Sequence, residues 1–311
     1  MTLPIRIQTQ RGDAGQTLFL EQELEALMVK VYTAVLPILK ALMIFPVRTD
    51  FAEWCETIAY TMLTHVGSAA VLRLPSSEIP RVDLYREKFR SNVREIAAKY
   101  GWSIVELEQA MMAKVPLERE MVNAAMRAIA ERVQDVMLNG HPATQVPGLL
   151  TNPNIPRSTV PNGAAASPLW ANKTADEILL DMHNAANGVV TTSLEAFEPD
   201  TLAMGLTNFH RIVSLARSTT SDETVYSFFL RTNPYIKRIE SVRQFDTAGT
   251  GGVRLTCAFN SNPDNGAYAL VRPFDQRPNQ ERDLRVDVTC FERTGGYIVP
   301  EPLAYRFAEG M

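Results

Sequence analysis

The sequence predicts an α+β protein, with helices packed on mixed sheets. Three observations point there. Apolar residues recur at helical spacing from Leu117 to Met137 until Asn139-Gly140 closes the run. Apolar and polar residues alternate, as in strands, around residues 57–62, 253–259 and 284–290. Between the long helix and the later strands stands "HPATQVPGLLTNPNIP", residues 141–156, with four prolines in sixteen residues. Proline fixes φ, lacks an amide donor and drives the preceding residue out of the helical region, so this stretch is a boundary. Its apolar island, Gly148-Leu149-Leu150, is flanked by Asn152, Pro153 and Asn154. That is turn chemistry around something buried, so the helix and the domain after it should meet at a fixed angle.

Length and composition narrow the class. At 311 residues the chain exceeds the size at which one core keeps growing, so two lobes, or one lobe with extensions, are expected. With 46% hydrophobic and 21% charged residues it is globular, and a formal charge of -4 gives no reason to expect a protein that seeks nucleic acid or an anionic membrane. Cys55, Cys257 and Cys290 are far apart and form no CxxC, which indicates neither a disulfide framework nor a zinc site and fits a reducing compartment. The first fifteen residues lack the apolar stretch of a secretion signal, so the Asn172-Lys173-Thr174 sequon carries no meaning. Residues 31–47 are strongly apolar, but Pro37, Lys40 and Pro46 interrupt them, well short of the roughly 18 to 20 residues of a membrane span.

The elements follow in order. Leu20, Leu24, Leu27, Met28, Val31, Val35, Leu39 and Leu42 form the stripe of an amphipathic helix kinked at Pro37. That stripe packs on its own chain or, as an arm, on a neighbour. Ile58, Tyr60 and Met62 then alternate with Thr57, Ala59 and Thr61. A second apolar run occupies 69–74, and "SSEIPRVDLYREKF" turns and continues with Val82 and Leu84 between charges. Residues 55–100 read mostly as long, polar-faced extended segments, with 93–100 open between strand and helical turn. An isolated two-stranded ribbon is marginal in water, so this one must rest on something else, such as another copy.

Ser103, with Glu106 three residues on, has capping-box spacing and opens a helix over 103–113 that breaks near Val115-Pro116. The next helix carries Leu117, Met121, Ala124, Ala125, Ala128, Ile129, Val133, Val136 and Met137 on one face, a rod of roughly 36 Å. Its alanines permit close approach to a sheet.

The order of an amphipathic arm, "IFPV…ETIAYTMLTHVGSA…SSEIPRVD", a charged extended loop, "YGWSIVELEQAMMAKVPLEREMVNAAMRAIAERVQDVMLNG" and "GLLTNPNIP" resembles the major capsid proteins of tailed bacteriophages, the Hong Kong 97-like fold shared with encapsulins. The resemblance covers most of the chain. It implies an N-terminal arm (1–48), an extended loop with flanking strands (49–102), a peripheral-domain spine helix (103–145), an axial domain (146–282), and a peripheral return strand with the last axial strand (283–311). It makes Leu117, Met121, Ala125, Ile129 and Val133 the spine, and Gly140, Gly148, Leu149, Leu150 and Asn152 the junction into the axial domain. Met62, Ile79, Arg81, Asp83, Tyr85, Lys88 and Phe89 become inter-subunit contact candidates. The implied function is a head protein assembling into pentamers and hexamers around double-stranded DNA, without sequence-specific binding. Scaffolding and portal proteins, and in some heads decoration proteins, would be its partners, and the virion, assembled in the host bacterial cytoplasm, its location. Some relatives link a loop lysine to a neighbour's asparagine, which makes Lys88 a formal candidate although no motif identifies the partner.

The remaining pattern suits an axial domain. Thr174 caps a helix whose face is Ile178, Leu179, Met182, Ala186 and Val189, with Asp176 and Glu177 in the first turn. Residues 200–216 supply another helix and 222–231 a third. Val253 to Phe259 alternate, "NPDNG" at 262–266 predicts a hairpin turn into 268–271, and Leu284 to Cys290 form a further strand that the resemblance places beside the spine. Catalytic chemistry has no visible home. His65, His141, His183 and His210 lack metal spacing, "TAGTGG" at 247–252 lacks the Lys-Ser/Thr of a phosphate loop, and no serine sits in G-x-S-x-G. No cofactor or metal is expected. Two other readings compete: an encapsulin-type compartment and, less well supported, a cytosolic α+β enzyme with a cleft near His183 or His210.

Overall fold

A computed structural model describes residues 37–69, 81–112, 117–218 and 221–311. The arm helix before residue 37, the apolar run at 70–74, Ile79 and the Val115-Pro116 break lie outside the described residues. Leu39–Met311 form one compact unit containing two five-stranded sheets and a protruding ribbon.

The first sheet is built around β13 (Arg285–Ile298). Along one edge β13 pairs antiparallel with β4 (Arg94–Ser103), from Arg285 opposite Ser103 to Thr294 opposite Arg94. Along the other edge lie β11 (Ala267–Gln276) and β12 (Gln280–Arg282), while the two-residue β1 (Val47–Arg48) adds parallel to β11. Residues 94–100 are therefore strand, and the helical alternative for them falls. Ser103 donates its amide to Glu106 while its hydroxyl accepts from Val105, opening α2 (Ile104–Met112) as its spacing predicts.

Helix α3 (Leu117–Asn139) lies against β4 and β13. Ala125, Ile129, Val133, Val136, Met137 and Leu138 are buried, facing Ile96, Ala98 and Tyr100 of β4. Ala124 and Ala128, expected on that face, are exposed, because the stripe turns with the 3.6-residue period and settles one position further on. The opposite side carries the ion pairs Arg127–Glu131 (2.7 Å) and Arg132–Asp135 (2.5 Å).

The second sheet runs β5 (Arg157–Thr159), β14 (Tyr305–Glu309), β10 (Leu255–Phe259), β6 (Thr201–Met204) and β9 (Arg238–Ser241). Helices α4 (Ala175–Thr192), α5 (Leu206–Ser214) and α6 (Val225–Thr232) accompany it, with the short antiparallel pair β7 (Ala216–Ser218) and β8 (Ser221–Thr224) between α5 and α6 in the chain. Thr174 caps α4 as expected, Glu177 also reaches back to accept the Thr174 amide, and Ile178, Leu179, Met182, Ala186 and Val189 are all buried. Four expectations need correction. Residues 201–204 are strand, so the helix read over 200–216 starts only at Leu206, and the helix read over 222–231 starts only at Val225. Strands β6 and β10 are buried at every position, so the alternation read at 253–259 does not separate an inner face from an outer one. The "NPDNG" turn forms, with Asn262 accepting the amides of Asp264 and Asn265, but it is no hairpin: it carries the chain from β10 in the second sheet to β11 in the first. The segment 146–282 therefore contributes β11 and β12 to the sheet beside the spine, not only to the second sheet.

One core joins the two sheets. Phe45, just after the single turn α1 (Ala41–Ile44), stacks on Phe259 of the second sheet at 4.9 Å and meets Tyr297 of the first edge-on at 5.9 Å. A second core lies between α4, α5, α6 and the second sheet.

Candidate functional site

Two features stand apart from ordinary packing: a ribbon that leaves the body, and the turn that ends the spine helix. The ribbon pairs β2 (Thr57–Val66) with β3 (Asp83–Asn92) in unbroken antiparallel register. Its root is fixed. Val93 donates to Glu56 O, Ser91 Oγ donates to Gly295 O at 2.8 Å, and Ile58 fills the space that a side chain on Gly295 would take. A small core of Ile58, Val93, Ala269 and Val271 holds this end.

Beyond the root the ribbon buries almost nothing: Tyr85 is 64% exposed, Leu84 54% and Val66 49%. Residues opposite each other share a face. One face therefore presents Tyr60, Met62, Val66, Tyr85 and Phe89 with Asp83 and Glu87, and Tyr60 stacks on Phe89 at 5.3 Å. The other presents Arg86, Lys88 and Arg90 opposite Leu63, Thr61 and Ala59, with His65 near the tip. Among the contact candidates, Met62, Asp83, Tyr85 and Phe89 thus share one face and Lys88 lies on the other. Arg81 precedes the strand and pairs with Asp83 at 2.9 Å.

The spine candidates Ala125, Ile129 and Val133 are buried and Met121 is half-buried, while the side chain of Leu117 lies outside the described residues. At the helix end Gly140 takes the left-handed conformation, φ +68°. His141 and Val146 bridge, and the chain returns so that Leu149 N donates to Met137 O (3.0 Å) and Leu150 N to Leu138 O (2.8 Å). These are last-turn carbonyls with no partner inside the helix. Gly140, Gly148, Leu149 and Leu150 therefore come together, whereas Asn152 acts one turn later, accepting the amide of Asn154.

Sequence reasoning missed Arg157, which pins this junction to the second sheet. Its guanidinium donates to Leu150 O and Glu309 Oε1 and lies over the Phe307 ring at 4.8 Å. Burial alone would raise the Glu309 carboxyl pKa, yet bonds from Arg157 and Thr250 outweigh it and hold the group below its ordinary value. An isolated arginine after a proline-rich stretch was the only signal.

His183 is half-buried beside Phe229 (4.9 Å) and Asn233 (3.3 Å), and desolvation lowers its pKa. Among the described residues no group of three His, Cys, Asp or Glu could hold a metal, and no helix is long and apolar enough to cross a membrane.

A helix laid along a sheet, a second sheet pinned to its end, and a ribbon without a core of its own define a shell-building subunit of the Hong Kong 97-like capsid fold. Residues 67–311 match the family described as Major capsid protein, and the chain belongs to that family. Similar solved structures include the capsid of Myoviridae phage XM1, with TM-score 0.79 and 17% identity over 91% of this chain and 95% of that one. Mycobacterium phage Ogopogo gives TM-score 0.60 at 12% identity, covering 90% and 94%. A virus-like particle from Pyrococcus furiosus gives 0.54 at 13%, covering 86% and 91%. No curated protein matches the sequence.

Proposed function

We propose that the chain assembles into pentamers and hexamers that close as an icosahedral head around phage DNA. The observation that carries this reading is the ribbon, which is regular, rooted on the body and lined on one face by aromatic and aliphatic side chains, of which Tyr85 and Val66 are left largely exposed by the described residues. Such a face is completed by a sister molecule. The second sheet and its helices are assigned the centre of each ring and the spine with the first sheet its edge, so that the ribbon and the arm lap over neighbours. A standard interface buries about 1,600 Å², and several overlapping ones per subunit resist the outward pressure of confined DNA. The formal charge of -4 suits a container that confines DNA without gripping its phosphates.

Deleting residues 64–88 tests the lapping role. The shortened chain should remain a soluble monomer or small ring and form no shells in electron micrographs. Complete shells from it would refute the reading. The likeness to the Pyrococcus furiosus particle keeps an encapsulin-type compartment as the second reading, which purified particles holding protein cargo and no DNA would favour.

A further inference from the structure

A lysine and an aspartate meet, both buried, at the start of α4. Lys173 immediately precedes the cap of α4 and Asp181 lies within the helix, with side chains only 1% and 3% exposed. Lys173 Nζ donates to Asp181 Oδ2 at 2.6 Å and to Pro161 O at 2.7 Å. Trp170, fully buried, donates its Nε1–H to the same carboxylate oxygen at 2.9 Å. Val160, Ile178 and Met182 belong to the same core. Removing both charges from water is costly, and that cost vanishes if the pair becomes neutral. Burial is the largest influence on Asp181 and raises its pKa even with Lys173 beside it. Asp181 also lines a cavity of about 390 Å³ with Asn184, Gly188 and Arg306, which gives a small leaving molecule a way out.

We propose that Lys173 and Asp181 are the two halves of a self-forming intramolecular amide crosslink. One Nζ proton passes along the short hydrogen bond to Oδ2, leaving an amine beside a carboxylic acid. The nitrogen lone pair attacks Cγ and the C–N bond forms. A second nitrogen proton passes to the departing hydroxyl, the C–O bond breaks, and water leaves into the cavity. An ammonium and a carboxylate thus become one neutral amide and one water, with no oxidant, reductant or co-reactant. Trp170 is a positioning residue that polarises the carboxyl through its N–H. The crosslink replaces a desolvated ion pair and fastens the segment before α4 to the helix.

The test is tryptic mass mapping of the full chain after denaturation. Cleavage after Lys173 requires a free amine, so the crosslinked chain yields one peptide, residues 158–211, lighter than its sequence mass by one water. In Lys173→Arg that loss should vanish and cleavage at 173 return, a readout that survives even if the variant folds poorly. Separate peptides 158–173 and 174–211 at their sequence masses in the unaltered protein would overturn the proposal and leave a plain ion pair. A water loss persisting in Lys173→Arg would overturn it equally.

Discussion

Gly148 sits against Gly140 so closely that a Cβ on Gly148 would fall 2.2 Å from the Gly140 amide nitrogen and 2.4 Å from the Asn139 carbonyl carbon. In turn, a Cβ on Gly140 would lie 2.6 Å from Val146 O, at a φ of +68°. Each glycine leaves room for the other's backbone, and only that approach lets Leu149 and Leu150 donate to the last-turn carbonyls of the spine. The exit angle of the spine is set by backbone contact.

Gly148→Ala should therefore cost on the order of 3 kcal/mol, combining overpacking against rigid backbone with loss of buried hydrogen bonds. Gly251 also has positive φ, +75°, but nothing stands near its would-be Cβ. Gly251→Ala should cost only about 1–2 kcal/mol, the left-handed penalty alone. Urea midpoints of the full-length variants check the order, and equal midpoints would mean that the contact carries no energy.

Glu292 on β13 supplies a pH dependence. Burial pushes its carboxyl up to about 7 from an ordinary 4.5, partly offset by a bond with Tyr268. The folded state therefore favours the protonated form. This contribution is present in full below 4.5, shrinks as the unfolded chain ionises and the folded one does not, and is gone above about 7. Glu292→Gln should be near neutral at pH 4 and stabilising at pH 8, by roughly 1–2 kcal/mol after allowance for partial solvation. Thermal unfolding at the two pH values measures the difference, and a gain at pH 4 equal to that at pH 8 would refute the assignment.

Phe45→Ala should destabilise by about 3–5 kcal/mol, because its ring bridges the aromatic side chains of both sheets and the hole has little freedom to collapse. The same change at Trp54, which is 63% exposed, should cost far less. Denaturant midpoints compare the two.

These contrasts show which physics is readable from residues alone. The spine and its end were legible because a 3.6-residue stripe closed by Asn-Gly is a local signal, and the extended reading of 57–66 and 83–92 followed from alternation with no core to support it. Sheet membership was not legible. Asn262-Pro263-Asp264-Asn265-Gly266 specifies a tight reversal through its own side chains, but nothing in those residues states that the next strand joins a different sheet. Residues 201–204 were misread because a four-residue apolar run fits a buried strand and a helical turn equally, and its neighbours β10 and β9 are distant in sequence. Phe45 lies within a quoted segment and Arg157 directly after one, yet the rings around Phe45 and the Glu309 and Phe307 partners of Arg157 come from distant parts of the chain and leave no local trace.

The ribbon offers the sharpest separation of folding from assembly. Tyr85 and Val66 lie on its apolar face, largely exposed, so Tyr85→Glu and Val66→Glu should leave the unfolding temperature of the isolated chain essentially unchanged, as surface substitutions usually do. In assembled material the same charges would have to be buried against a sister subunit without partners, at several kcal/mol per contact repeated over every subunit. Shell yield by electron microscopy should collapse. Thr61→Glu, on the opposite face between Ala59 and Leu63, adds the same charge beside Lys88 and should be tolerated. If Thr61→Glu abolished shells while Tyr85→Glu assembled normally, the basic face would be the one that docks.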